Sequence, residues 1–100
     1  MVLPASAQTT GRIAGQVTDP SGALIVGAQV LAVSQGTAER RTASTDSLGN
    51  YAFPALRPGA YTLTVSAQGF RQGSFPDVHV AVTETTILNI RLQVGSHSEA

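Results

Sequence analysis

The sequence contains no cysteine, which excludes disulfide bonds and thiolate metal sites. Charged residues make up only 12% of the chain, which is about half of the share that is usual in globular proteins. Six acidic and six basic residues cancel, so no excess of positive charge marks a nucleic-acid partner or an anionic membrane surface. No apolar run approaches the ~20 residues that a helix needs to span a bilayer.

The chain is nevertheless rich in Val, Ile and Thr and shows repeated alternation of apolar and polar residues, which argues against disorder. Its 100 residues fit one domain with a modest core. No helical period is visible, and the alternation predicts strands over residues 11–18, 28–33, 39–45, 51–53, 60–67, 78–82 and 88–94. Six or seven short strands at spacings of roughly 8–12 residues are typical of an antiparallel sandwich.

Two turns are marked by their residue types. In the segment 19–22, Pro20 sets φ for the first central position, and Gly22 supplies the left-handed position that a β-carbon would penalise. In the segment 46–50, the Asp46 side chain is placed to accept hydrogen bonds from backbone N–H groups two residues on. We predict a positive φ at Gly49.

The strand alternation also predicts the core. Large aromatics at strand-periodic positions usually carry core burial, so inward packing is favoured over sugar stacking for four of the five aromatic residues. Residues 54–59 are predicted to form a connector flanked by prolines. The predicted core consists of Tyr51, Phe53, Leu56, Tyr61, Leu63, Val65 and Phe70.

Three residues are predicted to form an interaction surface. Leu31 and Val33 alternate with the inward residues of strand 28–33, so both faces of this strand are apolar. Either another segment covers the outer face or it is a contact surface. Phe75 lies in a segment, 73–77, that is predicted to be a loop between strands and to expose its ring.

The sequence offers no catalytic or metal-binding set. The two histidines, His79 and His97, lie in no catalytic motif, and His79 alternates outward from its apolar neighbours. Isolated histidines without cysteine or an H-E-x-x-H spacing provide no ligand set. Segment 46–51 is not a calcium loop, because Leu48 and Tyr51 occupy positions that require an oxygen ligand and a glycine. We therefore predict no enzymatic activity, no metal and no cofactor.

The spacing D-x-x-G-x-Y-x-F…L-x-P-G-x-Y in residues 46–61, followed by Gly69-Phe70, resembles the carboxypeptidase regulatory-like domain, as does the segment 15–30. The resemblance covers about residues 11–92, and Val26 departs from it where the family often has proline. It implies a seven-stranded antiparallel Greek-key β-sandwich of the prealbumin or transthyretin type, which is classed with carbohydrate-binding-like folds.

The resemblance also implies a setting, because domains of this kind lie at the N-terminus of TonB-dependent outer-membrane receptors. Ala5 and Ala7 match a signal-peptide cleavage pattern, although a chance Ala/Ser-rich leader stays open. We expect a disordered leader over 1–10, the domain over 11–94, and a linker over 95–100. Residues 92–99 resemble the linker that leads into the receptor plug.

The expected function is that of a non-catalytic structural or interaction module of an exported protein, in the periplasm or outer membrane of a Gram-negative bacterium. Its partner would be the downstream plug and barrel region of the same polypeptide or another envelope protein, with no nucleic acid. The alternative is a carbohydrate-binding module. Sugar binding needs a platform of surface aromatics, and the sequence places most of its aromatics inside.

Overall fold

The computed structural model describes residues 9–95. In this range the chain forms strands and turns but no helix. The described residues therefore contain no helix that is long and apolar enough to cross a membrane. Almost all of the predicted leader and linker lies outside the described residues. The strands are β1 (Gly11–Thr18), β2 (Gln29–Ser34), β3 (Arg40–Ser44), β4 (Asn50–Leu56), β5 (Gly59–Ser66), β6 (Gly73–Val80), β7 (Thr85–Ile87) and β8 (Ile90–Arg91).

The strands form two sheets that pack face to face. One sheet has the order β4-β1-β7, with β8 also paired to β1, and the other has the order β3-β2-β5-β6. After β3 the chain crosses to the first sheet to form β4 and then returns, so that β5 lies beside β2. The predicted all-β sandwich is confirmed, with eight strands rather than seven.

One apolar core fills the space between the sheets, and it includes the predicted residues. All of them are buried except Phe70, which is half-buried and packs against the cluster. The largest side chains with almost no exposed surface come from both sheets and are Ile13, Leu56, Leu63, Ile90, Leu92, Val17, Val30 and Val65.

The prediction of a purely antiparallel sandwich with one strand over 88–94 is wrong. Both β7 and β8 run parallel to β1. The two strands are separated at Leu88, because its carbonyl oxygen lies directly over Gly15. A β-carbon at residue 15 would collide with that oxygen. The Tyr51 hydroxyl donates to the same carbonyl at 2.6 Å. The backbone N–H of Gln16 then donates to the Asn89 side chain at 3.0 Å, so a side chain replaces a ladder partner at the break.

The predicted connector 54–59 is shorter than expected. Strand β4 continues to Leu56 and β5 begins at Gly59, so only Arg57 and Pro58 connect them. Pro54 lies inside β4, where the register with β1 shifts. It is tolerated because β4 is an edge strand, on which a missing N–H need not break a ladder.

Both predicted turns are confirmed. Gly22 has a φ of 90° and donates to the Asp19 carbonyl at 3.0 Å. Gly49 has a φ of 74°. The Asp46 carboxylate accepts hydrogen bonds from the N–H groups of Leu48 and Asn50, each at 2.9 Å. These turns position the two loops at the end of the sandwich where β1 finishes.

Candidate functional site

Leu31 and Val33 lie on the outer face of the β3-β2-β5-β6 sheet, as their alternation predicts. Leu31 is paired with Thr42 on β3 and Thr64 on β5. Directly paired residues point to the same face, so the threonine side chains flank the Leu31 side chain. Both Leu31 and Val33 are half-buried. They therefore offer a smaller apolar surface than the sequence alone suggests.

Phe75 lies in strand β6, so its predicted position in a loop is wrong. It is paired with Leu63, whose side chain is fully buried, and it packs against the core. The ladder between β5 and β6 holds one extra residue in β6, near Asp77, which has a φ of 59°. This bulge lets Phe75 and Val78 both face inward although they are three residues apart, which simple alternation does not predict. Phe75 thus faces away from Leu31 and Val33.

Three other apolar side chains are more exposed than Leu31, Val33 and Phe75. Leu24, Val26 and Leu48 expose 43%, 62% and 59% of their surface, and we call these three residues the apolar end cluster. Leu24 and Val26 flank the inward-facing Ile25 in the link after the first turn, and Leu48 lies in the turn before β4. From the sequence alone, segment 23–27 is predicted only to be a link. The sequence signal for an exposed patch there is the out-in-out alternation of Leu24, Ile25 and Val26 between two glycines.

The loops that carry the apolar end cluster are in contact. A β-carbon added at Gly49 would lie 3.3 Å from the Leu24 Cβ and 3.5 Å from the Ile25 nitrogen. Leu24 also forms an isolated antiparallel bridge with Thr18 at the end of β1. Leu48 directly precedes Gly49, so the cluster forms one surface at one end of the sandwich.

Buried hydrogen bonds hold the link to the rest of the fold. The Thr45 side chain is the buried polar group of this region, with 4% of its surface exposed. Its hydroxyl donates to the Ile25 carbonyl at 2.7 Å and accepts from the Ala28 N–H at 2.8 Å. The Gly27 N–H donates to the Thr45 carbonyl at 3.0 Å. Thr45 therefore holds the link on both sides of the exposed Val26.

The side chains that could take part in catalysis are either hydrogen-bonded within the fold or isolated from one another. Tyr51 donates its hydroxyl proton to the Leu88 carbonyl, and Tyr61 donates to the Arg57 carbonyl at 2.7 Å. Burial raises the pKa of both tyrosines above the ordinary value of 10.0, so both stay neutral donors near pH 7. His79 is exposed, as predicted, and His97 lies outside the described residues.

No metal-ligating set is assembled in residues 9–95, where no three His, Asp or Glu side chains come together. A shallow cleft of about 140 Å³ lies at the end of the sandwich opposite the apolar end cluster. Its lining includes polar and charged side chains but no aromatic one: Thr10, Gly11, Arg12, Pro54, Thr83, Glu84 and Thr85. Thr83 has a φ of 64°, an uncommon conformation for a β-branched residue.

Comparison with known proteins identifies a family and a fold. The model of the carboxypeptidase regulatory-like domain family matches residues 12–93. No curated protein matches the chain significantly.

Several solved structures share the fold at low identity. The TIE protein of Bacillus anthracis matches with a TM-score of 0.73 at 14% identity over 86% of this chain and 17% of that one. GBS52, the minor pilin of Streptococcus agalactiae, matches with a TM-score of 0.69 at 14% identity over 94% and 48%. Catechol 1,2-dioxygenase of Acinetobacter radioresistens matches with a TM-score of 0.67 at 16% identity over 96% and 57%. The chain thus spans between about a sixth and about three fifths of these proteins, and the likeness shows the fold alone.

Proposed function

Since the chain belongs to the carboxypeptidase regulatory-like domain family, whose members are non-catalytic β-sandwich modules, we propose that it works by packing against a neighbouring domain. The observation that carries this proposal is that aliphatic side chains are exposed, whereas the tyrosine hydroxyls are hydrogen-bonded within the fold. Aliphatic side chains stay on the surface, in the apolar end cluster and in part at Leu31 and Val33. The tyrosine hydroxyls, by contrast, are held by backbone carbonyls. Contiguous exposed apolar patches mark sites of interaction with proteins, membranes or ligands.

The setting that we propose is an exported envelope protein of a Gram-negative bacterium. The chain would be the N-terminal accessory domain of a TonB-dependent outer-membrane receptor, and its neighbour would be the plug and barrel region of the same polypeptide. The motif spacing in residues 46–61 and the alanine pattern at residues 5–7 support this setting. Reading the gene beyond codon 100 tests it directly, and a downstream region without a plug and a barrel would contradict it.

The association itself is tested in the full polypeptide, by comparing hydrogen exchange of this domain with and without the region encoded after it. We expect slower exchange in the wild-type chain when its downstream region is present. If the outer face of the second sheet takes part, Leu31→Asp removes this protection without unfolding the domain, because an outward position tolerates a charge that a core position does not. Ala52→Asp, on the exposed outer face of the other sheet, is the matched control. A wild-type chain whose exchange is unchanged by its downstream region would contradict the proposal.

A carbohydrate-binding module is the second candidate, and the shallow cleft near the start of β1 is the observation that favours it. Arg12, Glu84 and three threonine hydroxyls line this cleft, and such groups can hydrogen-bond sugar hydroxyls. The cleft has no aromatic face on which a sugar ring could stack, which is why we rank this candidate second. Binding of a mono- or oligosaccharide tighter than ~1 mM, about −4 kcal/mol, would reverse the ranking.

A further inference from the structure

The apolar end cluster lies next to the strand by which the described chain leaves the fold. Thr18 is bridged to Leu24 on one side and paired with Arg91 of β8 on the other. The Leu92 N–H then donates to the Thr18 carbonyl at 2.9 Å. Neighbouring strands lie about 4.8 Å apart, so the backbones at Leu24 and Arg91 are about 10 Å apart. The cluster and the departing chain thus share one end of the molecule.

The last described residues stay attached to this end. Val94 bridges to Phe70, and the Gly95 N–H donates to the Gly69 carbonyl at 3.2 Å. Five further residues, 96–100, follow in the sequence. Fully extended, they reach at most about 17 Å. A domain that began after residue 100 would therefore start close to Gly95, at the same end of the molecule as the apolar end cluster.

The small size of the cluster favours a tethered partner over a free one. A stable complex between separate proteins usually buries about 800 Å² on each side, from roughly 20–30 residues. Three exposed aliphatic side chains fall well short of that. A short tether raises the effective concentration of a partner to the millimolar range, at which a small patch is sufficient. The hydrogen bonds of Thr45 also preorganise the link, so little conformational entropy is lost on contact.

We infer that the apolar end cluster of Leu24, Val26 and Leu48 is the surface on which this module docks the domain that follows residue 100 in the same polypeptide. The inference rests on the proposed function and specifies its contact surface. The partner surface is apolar, because the exposed side chains of the cluster are aliphatic and offer it no hydrogen-bonding group. The nearby Asp19 and Asp46 carboxylates accept hydrogen bonds from their own turns and so hold the two loops in place.

Thiol labelling tests the inference well because the chain has no cysteine of its own. Val26 and Ile87 are equally exposed, each at 62%, and Ile87 lies on β7, away from the cluster. Val26→Cys and Ile87→Cys are labelled with a maleimide in the isolated chain and in the full polypeptide with its natural downstream region. We expect labelling at Val26→Cys to be at least about tenfold slower in the full polypeptide and labelling at Ile87→Cys to be unchanged. Leu48→Asp, added to Val26→Cys, should restore fast labelling.

The remaining outcomes separate this inference from the proposed function. Equal labelling rates in the two forms at Val26→Cys and at a second probe, Leu48→Cys, would overturn the inference. If Leu31→Cys were slowed in the full polypeptide instead, the module would dock through the outer face of the second sheet, and the proposed function would stand. If none of these positions were slowed, both proposals would fail. Circular dichroism of each variant of the isolated chain establishes that its fold is intact.

Discussion

Single residues set the tight backbone geometry at the end of the sandwich where β1 finishes. Gly49 combines a φ of 74° with close packing, since a β-carbon there would lie 3.0 Å from the Val17 carbonyl oxygen. The same turn depends on the Asp46 carboxylate, which accepts two backbone hydrogen bonds. This residue-scale geometry brings Leu48 beside Leu24.

Replacing Gly49 tests this geometry. Gly49→Val should destabilise the fold more than Gly49→Asn, because asparagine tolerates the left-handed region and a β-branched residue does not. An L-residue pays about 1–2 kcal/mol there, before the contact with the Val17 carbonyl adds to it. Denaturant melts of both variants give the comparison. Gly36 is the control position, since it has no positive φ and no atom near its would-be β-carbon. Equal unfolding midpoints for the two Gly49 variants would show that the left-handed conformation of residue 49 does not limit the stability of the fold.

Phe53 is the residue on which the core assignment can be tested most directly. It exposes 3% of its surface and packs edge-to-face on Tyr51, with ring centroids 6.1 Å apart. Phe53→Ala should lower the free energy of unfolding by ~3–5 kcal/mol, because it removes a buried ring and leaves a cavity. Urea melts measure the loss, and Ile87→Ala, at an exposed site on β7, should change it by less than about 1 kcal/mol. A loss below ~1 kcal/mol for Phe53→Ala would mean that the two faces of β4 are assigned backwards.

At the scale of elements, one buried side chain joins the link 23–27 to the start of β2. Thr45 directly follows β3, and its hydroxyl serves both the Ile25 carbonyl and the Ala28 N–H. The position of the apolar end cluster therefore depends on a residue that is not part of the cluster.

Thr45→Val tests this dependence at nearly constant volume. It leaves the Ile25 carbonyl and the Ala28 N–H without a buried partner, which should cost about 1–3 kcal/mol. Thr45→Ser keeps the hydroxyl and should cost clearly less. Hydrogen exchange at Gly27, whose N–H is bonded to the Thr45 carbonyl, should be faster in Thr45→Val than in Thr45→Ser. Equal exchange rates would show that the link is held by other contacts.

On the scale of the whole molecule, side chains join the edges of the two sheets. On one side of the sandwich, Arg41 of β3 donates to the Ala55 carbonyl of β4 at 3.1 Å. On the other, the Thr86 hydroxyl of β7 donates to the His79 carbonyl of β6 at 2.8 Å. These bonds span edges that no backbone ladder connects.

The stability of the whole domain should fall at alkaline pH because of its two tyrosines. Burial raises the pKa of Tyr51, and to a lesser extent that of Tyr61, above the ordinary 10.0. The unfolded chain releases these protons near pH 10 while the folded chain keeps them, so their stabilising effect is complete below pH 10 and is lost as the pH rises further. For Tyr51 the slope approaches about 1.4 kcal/mol per pH unit.

Urea melts at about pH 8 and about pH 11 measure this loss. Tyr51→Phe should make the pH dependence shallower, although it also removes the hydrogen bond to the Leu88 carbonyl and so lowers stability at every pH. A variant with the same pH dependence as the wild-type chain would show that Tyr51 does not cause it.

The local properties of the chain were enough to predict the sandwich, most of its strands and its core. Alternation along β1 and β5 identified their inward faces, and proline, glycine and aspartate identified the two turns. These signals are readable because strand faces and turn dihedrals depend on residues close together in the sequence. The family resemblance, carried by the same turn and strand residues, was likewise confirmed.

Only the tertiary structure decided which segments meet and in which direction. A period of two is the same in parallel and antiparallel strands, so it could not show that β7 and β8 run parallel to β1. Nor could it show the bulge that turns Phe75 inward, since that extra residue exists only relative to β5. The apolar end cluster has the same origin: Leu24 and Leu48 are 24 residues apart, and they become one surface because Thr45 and Gly49 bring their loops together.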